Sequence, residues 1–201
     1  MKDHAYSEKE LLIFQGVNKL LSEGESLHTL KVSDIATAAG IGKGTIYDYF
    51  SSKDEILRKA LIYTLEKELL LISETLRELT SFKEKCYGIF NIIERYVKEH
   101  NSISNAFLFN LRPFEITGML KNIHQAEELK NKTISKILRV VVNQGIEEGI
   151  IRDQDNSDLE LLVFKSAILG FTSCLCHGLH SEEENKKVKD MAYSIIIKSL
   201  S

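Results

Sequence analysis

Lys43, Thr45, Tyr47, Tyr49 and Lys53 fall within eleven residues, KGTIYDYFSSK. They mix two cations with hydroxyl groups and aromatic rings. None is paired with a base or nucleophile that would suit bond-making chemistry. The set suits recognition of a polyanion instead. Lys43 and Lys53 can meet phosphates, and Ser33 can do so from the preceding helix. Thr45 can hydrogen-bond a base edge or touch a thymine methyl. Tyr47 and Tyr49 can donate to phosphates and pack their rings on sugar. Gly44 has no side chain and leaves room for close approach. Asp48 is the one acid among them; it faces solvent, pairs with a local cation, or accepts from a cytosine amino group.

Two short helices joined by a tight turn must hold these groups. Ala36 is small enough for close helix approach, Gly40 can end the earlier helix with positive φ, and Ile46 can turn back into a core. This spacing predicts a helix-turn-helix, whose second helix (about 43–50) enters a DNA major groove. An earlier helix over 8–22 carries Leu12, Gly16 and Leu20 on one stripe, with Phe14, Val17 and Leu21 beside it, and Gly24 stops it. Helix two begins at Lys31 or Ser33 and runs to about Ala39. Ser52, Asp54 and Glu55 form a strong helix start. That fourth helix runs to about Thr80, long enough to link two domains. Domains are expected over 1–52 and 53–201.

The balance of charge sharpens this reading. The 201 residues carry a net charge of −3, so a DNA footprint must be a local patch rather than a general basic surface. Three cysteines, Cys86, Cys174 and Cys176, make no disulfide framework and fit a reducing cytoplasm. The apolar segment 159–179 is interrupted by Lys165 and reads as a buried helix rather than a membrane span. GIGKGT is no phosphate-binding loop: GKG departs from G-K-[ST], and no strand precedes it.

With one proline and many Leu, Ile, Glu and Lys, the remaining chain reads as all-α. Helices are expected near 81–100, 102–111, 117–148, 158–178 and 183–200, with Pro113 closing the second of these. The penultimate helix carries two apolar stripes: Val163, Ala167, Gly170 and Cys174, and Phe164, Ile168, Phe171 and Leu175. One stripe can pack within the chain and the other on a second copy. The small-residue stripe, with Val188, Met191, Ala192 and Ile195 of the last helix, is the expected dimer interface. Dimerisation also follows from the need to read two half-sites of an inverted repeat.

The segment DIATAAGIGKGTIYDYFSSKDEIL closely resembles the signature of the tetracycline-repressor (TetR) family, through Asp34-Ile35-Ala36, Ala39-Gly40, Lys43-Gly44-Thr45, Tyr47, Tyr49-Phe50 and Lys53. The similarity covers about residues 11–60. It implies an N-terminal three-helix DNA-binding domain and a C-terminal helical domain for ligand binding and dimerisation, about nine helices in all. It also implies a homodimer on an operator, released by a small molecule. Family positions matching Lys43, Thr45, Tyr47, Tyr49 and Lys53 commonly contact DNA. Two positions depart from the pattern: Lys31 stands where a capping Thr is usual, and Gly42 where Ser or Thr is common.

By the same resemblance, some aromatic residues line a cavity for an apolar or aromatic effector: Tyr63, Phe90, Phe107, Phe164 and Phe171. No cofactor is expected. Cys174, Cys176, His177 and His180 raise metal or thiol sensing as an alternative, but the Cys174/His177 and Cys176/His180 pairs lie on different helix faces. An effector-independent architectural DNA-binding protein on the same fold is the other alternative. No catalytic constellation stands out, so no enzyme is expected.

Overall fold

The computed structural model describes residues 6–27, 29–98, 124–153, 157–177 and 181–201. Among these, eight α-helices and no strand form: α1 (Glu8–Ser22), α2 (Val32–Ala39), α3 (Lys43–Tyr49), α4 (Lys53–Glu78), α5 (Phe82–Lys98), α6 (His124–Glu147), α7 (Ser157–His177) and α8 (Glu182–Leu200). The helix expected near 102–111 lies outside the described residues.

Local sequence sets the helix starts. Ser7 and Glu10 form a capping box at α1: the Glu10 amide donates to Ser7 Oγ at 3.3 Å, and the Ser7 amide to Glu10 Oε2 at 2.8 Å. Ser181 and Glu184 repeat it at α8. At α2 only the reverse bond forms, because Lys31 cannot accept from the amides ahead of it. There Asp34 takes the Lys31 amide at 3.2 Å. Gly40 ends α2 at φ 67°, a left-handed conformation that a residue with Cβ adopts at a cost.

Two compact units divide the described residues. One holds those up to Lys67 with 124–128, and the other holds the rest from Glu68 onward. In the first unit, Ile13, Phe14, Val17, Ile35, Ile46, Phe50 and Ile56 form the core. The Phe14 ring meets Phe50 at 5.9 Å and Tyr63 at 5.4 Å. Asn18 Nδ2 donates to Thr64 Oγ1 at 2.8 Å, tying α1 to α4.

Gly16 sets the separation of α1 and α2. A Cβ there would lie 3.0 Å from the Ala39 nitrogen and 3.1 Å from the Ile35 oxygen, both backbone atoms that cannot swing aside. We expect Gly16→Val to push α1 off α2 and destabilise the protein by about 1–3 kcal/mol in chemical denaturation. A loss under about 0.5 kcal/mol would show that the two helices are free to separate.

In the second unit, α7 packs against α5 and α8. Phe171 stacks on Phe90 at 4.9 Å, and Phe164 meets Phe82 at 6.0 Å. Gly145 of α6 lets the Phe82 ring approach closely. Glu148, just past α6, accepts from the Phe82 amide at 2.8 Å and so caps α5 from a distance. Lys85 is buried, and its Nζ donates to the Leu76 carbonyl at 2.7 Å, capping the end of α4.

By length and composition α7 is apolar enough to cross a membrane over Asp158–Cys176. Here one face of it packs on protein. It also carries Glu160, ion-paired with Arg139 at 2.9 Å, and Lys165, which donates to Ser135 Oγ at 3.0 Å.

Candidate nucleic-acid interface

The geometry of α3 follows from one inward anchor. Ile46 is fully buried and Phe50, just past the helix, is 2% exposed. With these turned inward, Lys43, Gly44, Tyr47, Asp48 and Tyr49 are exposed and Thr45 is half-buried. Tyr47 and Tyr49, 52% and 39% exposed, are large rings left in solvent on a helix that has a core to enter. Ser33 is exposed on α2, and its hydroxyl donates to Asp34 Oδ1 at 3.2 Å. Thr37 is exposed one turn later and is a further polar group on that helix.

The turn after α3 is held by Glu55. Its Oε2 accepts from the Ser51 amide at 2.8 Å and from Ser51 Oγ at 2.7 Å, while Lys59 pairs with Oε1 at 3.2 Å. These hydrogen bonds outweigh desolvation and pull its carboxyl down to about 2. Lys59 also lies 5.2 Å from the centre of the Phe50 ring. Glu55 therefore fixes the backbone between Tyr49 and Lys53. The Ser52-x-x-Glu55 spacing signals a cap; the added grip on Ser51 was not legible in it.

The aromatic residues expected around an effector do not form one cluster. Phe90 and Phe171 touch, and Phe164 meets Phe82 edge-to-face. Tyr63 belongs to the first unit, against Tyr6 and Phe14. Phe107 lies outside the described residues. Of the expected interface residues, Gly170, Cys174, Met191 and Ile195 are exposed, and Val163 and Val188 are half-buried. Ala167 and Ala192 instead turn inward, 3% and 4% exposed, because Phe164 and Phe171 draw that side of α7 into the core. The outer face of α7 is richer in leucine than expected: Leu159, Leu162 and Leu169 are exposed.

Among the described residues no group of three or more His, Cys, Asp or Glu could hold a metal ion. His180 and the His177 side chain lie outside the description. Burial, with Glu148 nearby, pushes the Cys86 thiol up, and burial also raises Cys176. Both shifts disfavour a reactive thiolate.

An all-helical chain with a helix-turn-helix of this geometry, presenting cationic, hydroxyl and aromatic groups outward, is a DNA-binding transcriptional regulator. Residues 21–60 match the bacterial regulatory proteins of the tetR family. An HTH-type transcriptional regulator of Staphylococcus aureus is 25% identical over 65% of this chain and 75% of its own. The HTH-type transcriptional repressor KstR2 of Mycobacterium tuberculosis is 29% identical over 66% of this chain and 64% of its own. The transcriptional regulator FadR of Bacillus subtilis, solved in complex with stearoyl-CoA, shares the fold at TM-score 0.64 and 20% identity. That match covers 95% of this chain and 97% of FadR. Over its helix-turn-helix the chain is thus similar to the TetR-family transcriptional regulators.

Proposed function

We propose that the protein is a cytoplasmic homodimeric repressor that binds an inverted-repeat operator and releases it on binding a small apolar or aromatic molecule. Exposed Lys43, Tyr47 and Tyr49 and half-buried Thr45, flanking the buried Ile46, carry the DNA-binding part of this reading. Ser33, Gly44 and Lys53 complete the proposed contact surface. Repression is the activity named for KstR2. Lys43→Ala and Tyr47→Ala should weaken operator binding while leaving helicity unchanged. Lys43→Ala should also lower the salt dependence by about one unit of slope, the loss of one phosphate contact. Footprinting across a salt series tests this, and unchanged affinity in both variants would move the DNA surface elsewhere.

Dimerisation is proposed through the outer faces of α7 and α8. Leu162, Leu169, Met191 and Ile195 are each at least half exposed, on two helices that pack on each other. Such a contiguous apolar surface suits burial against a second copy. Gly170 is exposed too, and among the described residues nothing lies within 4 Å of an added Cβ there. Leu162→Glu with Leu169→Glu should give a folded monomer in sedimentation, and so should Gly170→Leu. Dimers in both variants would place the interface elsewhere.

An apolar effector is supported by the aromatic interior around Phe90, Phe164 and Phe171. The same fold in FadR holds stearoyl-CoA.

A further inference from the structure

We propose that Asp48 is the residue by which α3 selects a cytosine in each operator half-site. The inference rests on the DNA-binding reading above and adds a specificity determinant to it.

Direction is the first argument. An α-helix turns by about 100° per residue, so positions two before and two after Ile46 each stand roughly 160° from it. Ile46 is fully buried, so Gly44 and Asp48 lie along the outermost line of α3. A helical side chain leans over the turn N-terminal to its own Cα. Asp48 therefore leans over Gly44, which has no side chain and where an added Cβ would meet nothing within 4 Å. The way outward from Asp48 over Gly44 is therefore open among the described residues.

The second argument is that this carboxylate is uncommitted. Nearby acids are used in building the motif: Asp34 accepts from the Lys31 amide and Glu55 from the Ser51 amide. Asp48 is exposed and makes no hydrogen bond or ion pair with another described residue. It stabilises no turn and neutralises no cation. On a surface proposed to meet phosphates, such a charge is repelled unless a donor awaits it.

Base-edge chemistry supplies the third. A carboxylate only accepts hydrogen bonds. In the major groove guanine offers two acceptors, and thymine an acceptor and a methyl group. Adenine offers its N6 donor beside the N7 acceptor, which would face the second carboxylate oxygen. Cytosine presents its N4 donor without that neighbour. An aspartate at the centre of the reading face therefore selects cytosine and disfavours the other three bases.

The test is selection of duplexes from a randomised DNA library by the full-length wild-type protein, Asp48→Ala and Asp48→Asn. The wild type should enrich an inverted repeat with cytosine at one symmetric pair of positions. Asp48→Ala should lose the preference at that pair by about 5- to 150-fold and keep every other position. Asp48→Asn should change the pair to adenine, because an amide offers both a donor for N7 and an acceptor for N6. Circular dichroism should be unchanged in both variants, since the side chain touches no core. If Asp48→Ala returns the wild-type motif at every position, Asp48 is not a reader and the inference fails alone. If the wild type enriches no inverted repeat, the operator reading fails and takes the inference with it.

Discussion

Replacing Ile46 by Asp is expected to unfold the N-terminal helical unit and to abolish DNA binding with it. Ile46 is fully buried, with Phe14, Ile35 and Phe50 in the same core. The substitution removes about 1.5–3 kcal/mol of apolar burial. It also forces an unpaired carboxylate into a site without a partner, for a total on the order of 4 kcal/mol or more. Small domains have only about 5–15 kcal/mol to lose. Amide exchange over residues 8–60 should collapse towards unprotected rates. Tyr47→Ala, one position on but in solvent, should keep full protection while weakening DNA binding. An Ile46→Asp protein with wild-type protection would mean that α3 is not anchored by this residue.

A comparable effect is expected in the second unit from Arg139→Met. Glu160 has only 2% of its side chain exposed, and Arg139 Nη1 meets one of its oxygens at 2.9 Å. Its other oxygen, Oε1, has no hydrogen-bond partner among the described residues. Removing the guanidinium leaves a buried carboxylate with its charge uncompensated, a loss of about 3–5 kcal/mol. For a chain of this size that lowers Tm by roughly 6–20 °C. The double variant Arg139→Met/Glu160→Met removes both charges and should recover most of the loss, because a buried ion pair is often no better than apolar packing. Urea denaturation of the two single variants and the double variant measures the coupling. A loss below about 1 kcal/mol in Arg139→Met would show that water reaches Glu160.

Local signals made the first unit legible. Gly40 takes the positive φ that its place after Ala39 requires, α3 begins at Lys43, and Ser52 with Glu55 marks the start of α4. These features depend on neighbours within four residues, and the sequence prints such neighbours side by side. The closeness of α1 to α2 is set by Gly16, through the Ala39 and Ile35 backbone. That contact joins residues far apart in the chain. In α7 two apolar stripes competed, and periodicity says only that both are apolar. The aromatic side of Phe164 and Phe171 turned inward against Phe82 and Phe90, taking Ala167 with it and leaving Leu162 and Leu169 outside. Tyr63 was grouped with the effector aromatics by residue type, and its position on the first part of α4 places it with Phe14. The Glu160–Arg139 pair left no local signature at all.

The start of α5 has its own Ser81–Glu84 capping box and adds Glu148 as acceptor for the Phe82 amide, while Lys85 on its first turn closes the carbonyls at the end of α4. Each helix end thus also uses a group 66 or 9 residues away in the chain. An isolated α5 would keep its Ser81–Glu84 box but lose the acceptor for its Phe82 amide, and α4 would lose the donor to its Leu76 carbonyl. These two bonds tie the end of α4, the start of α5 and the end of α6 together, so local opening at any one of them costs contacts at the others.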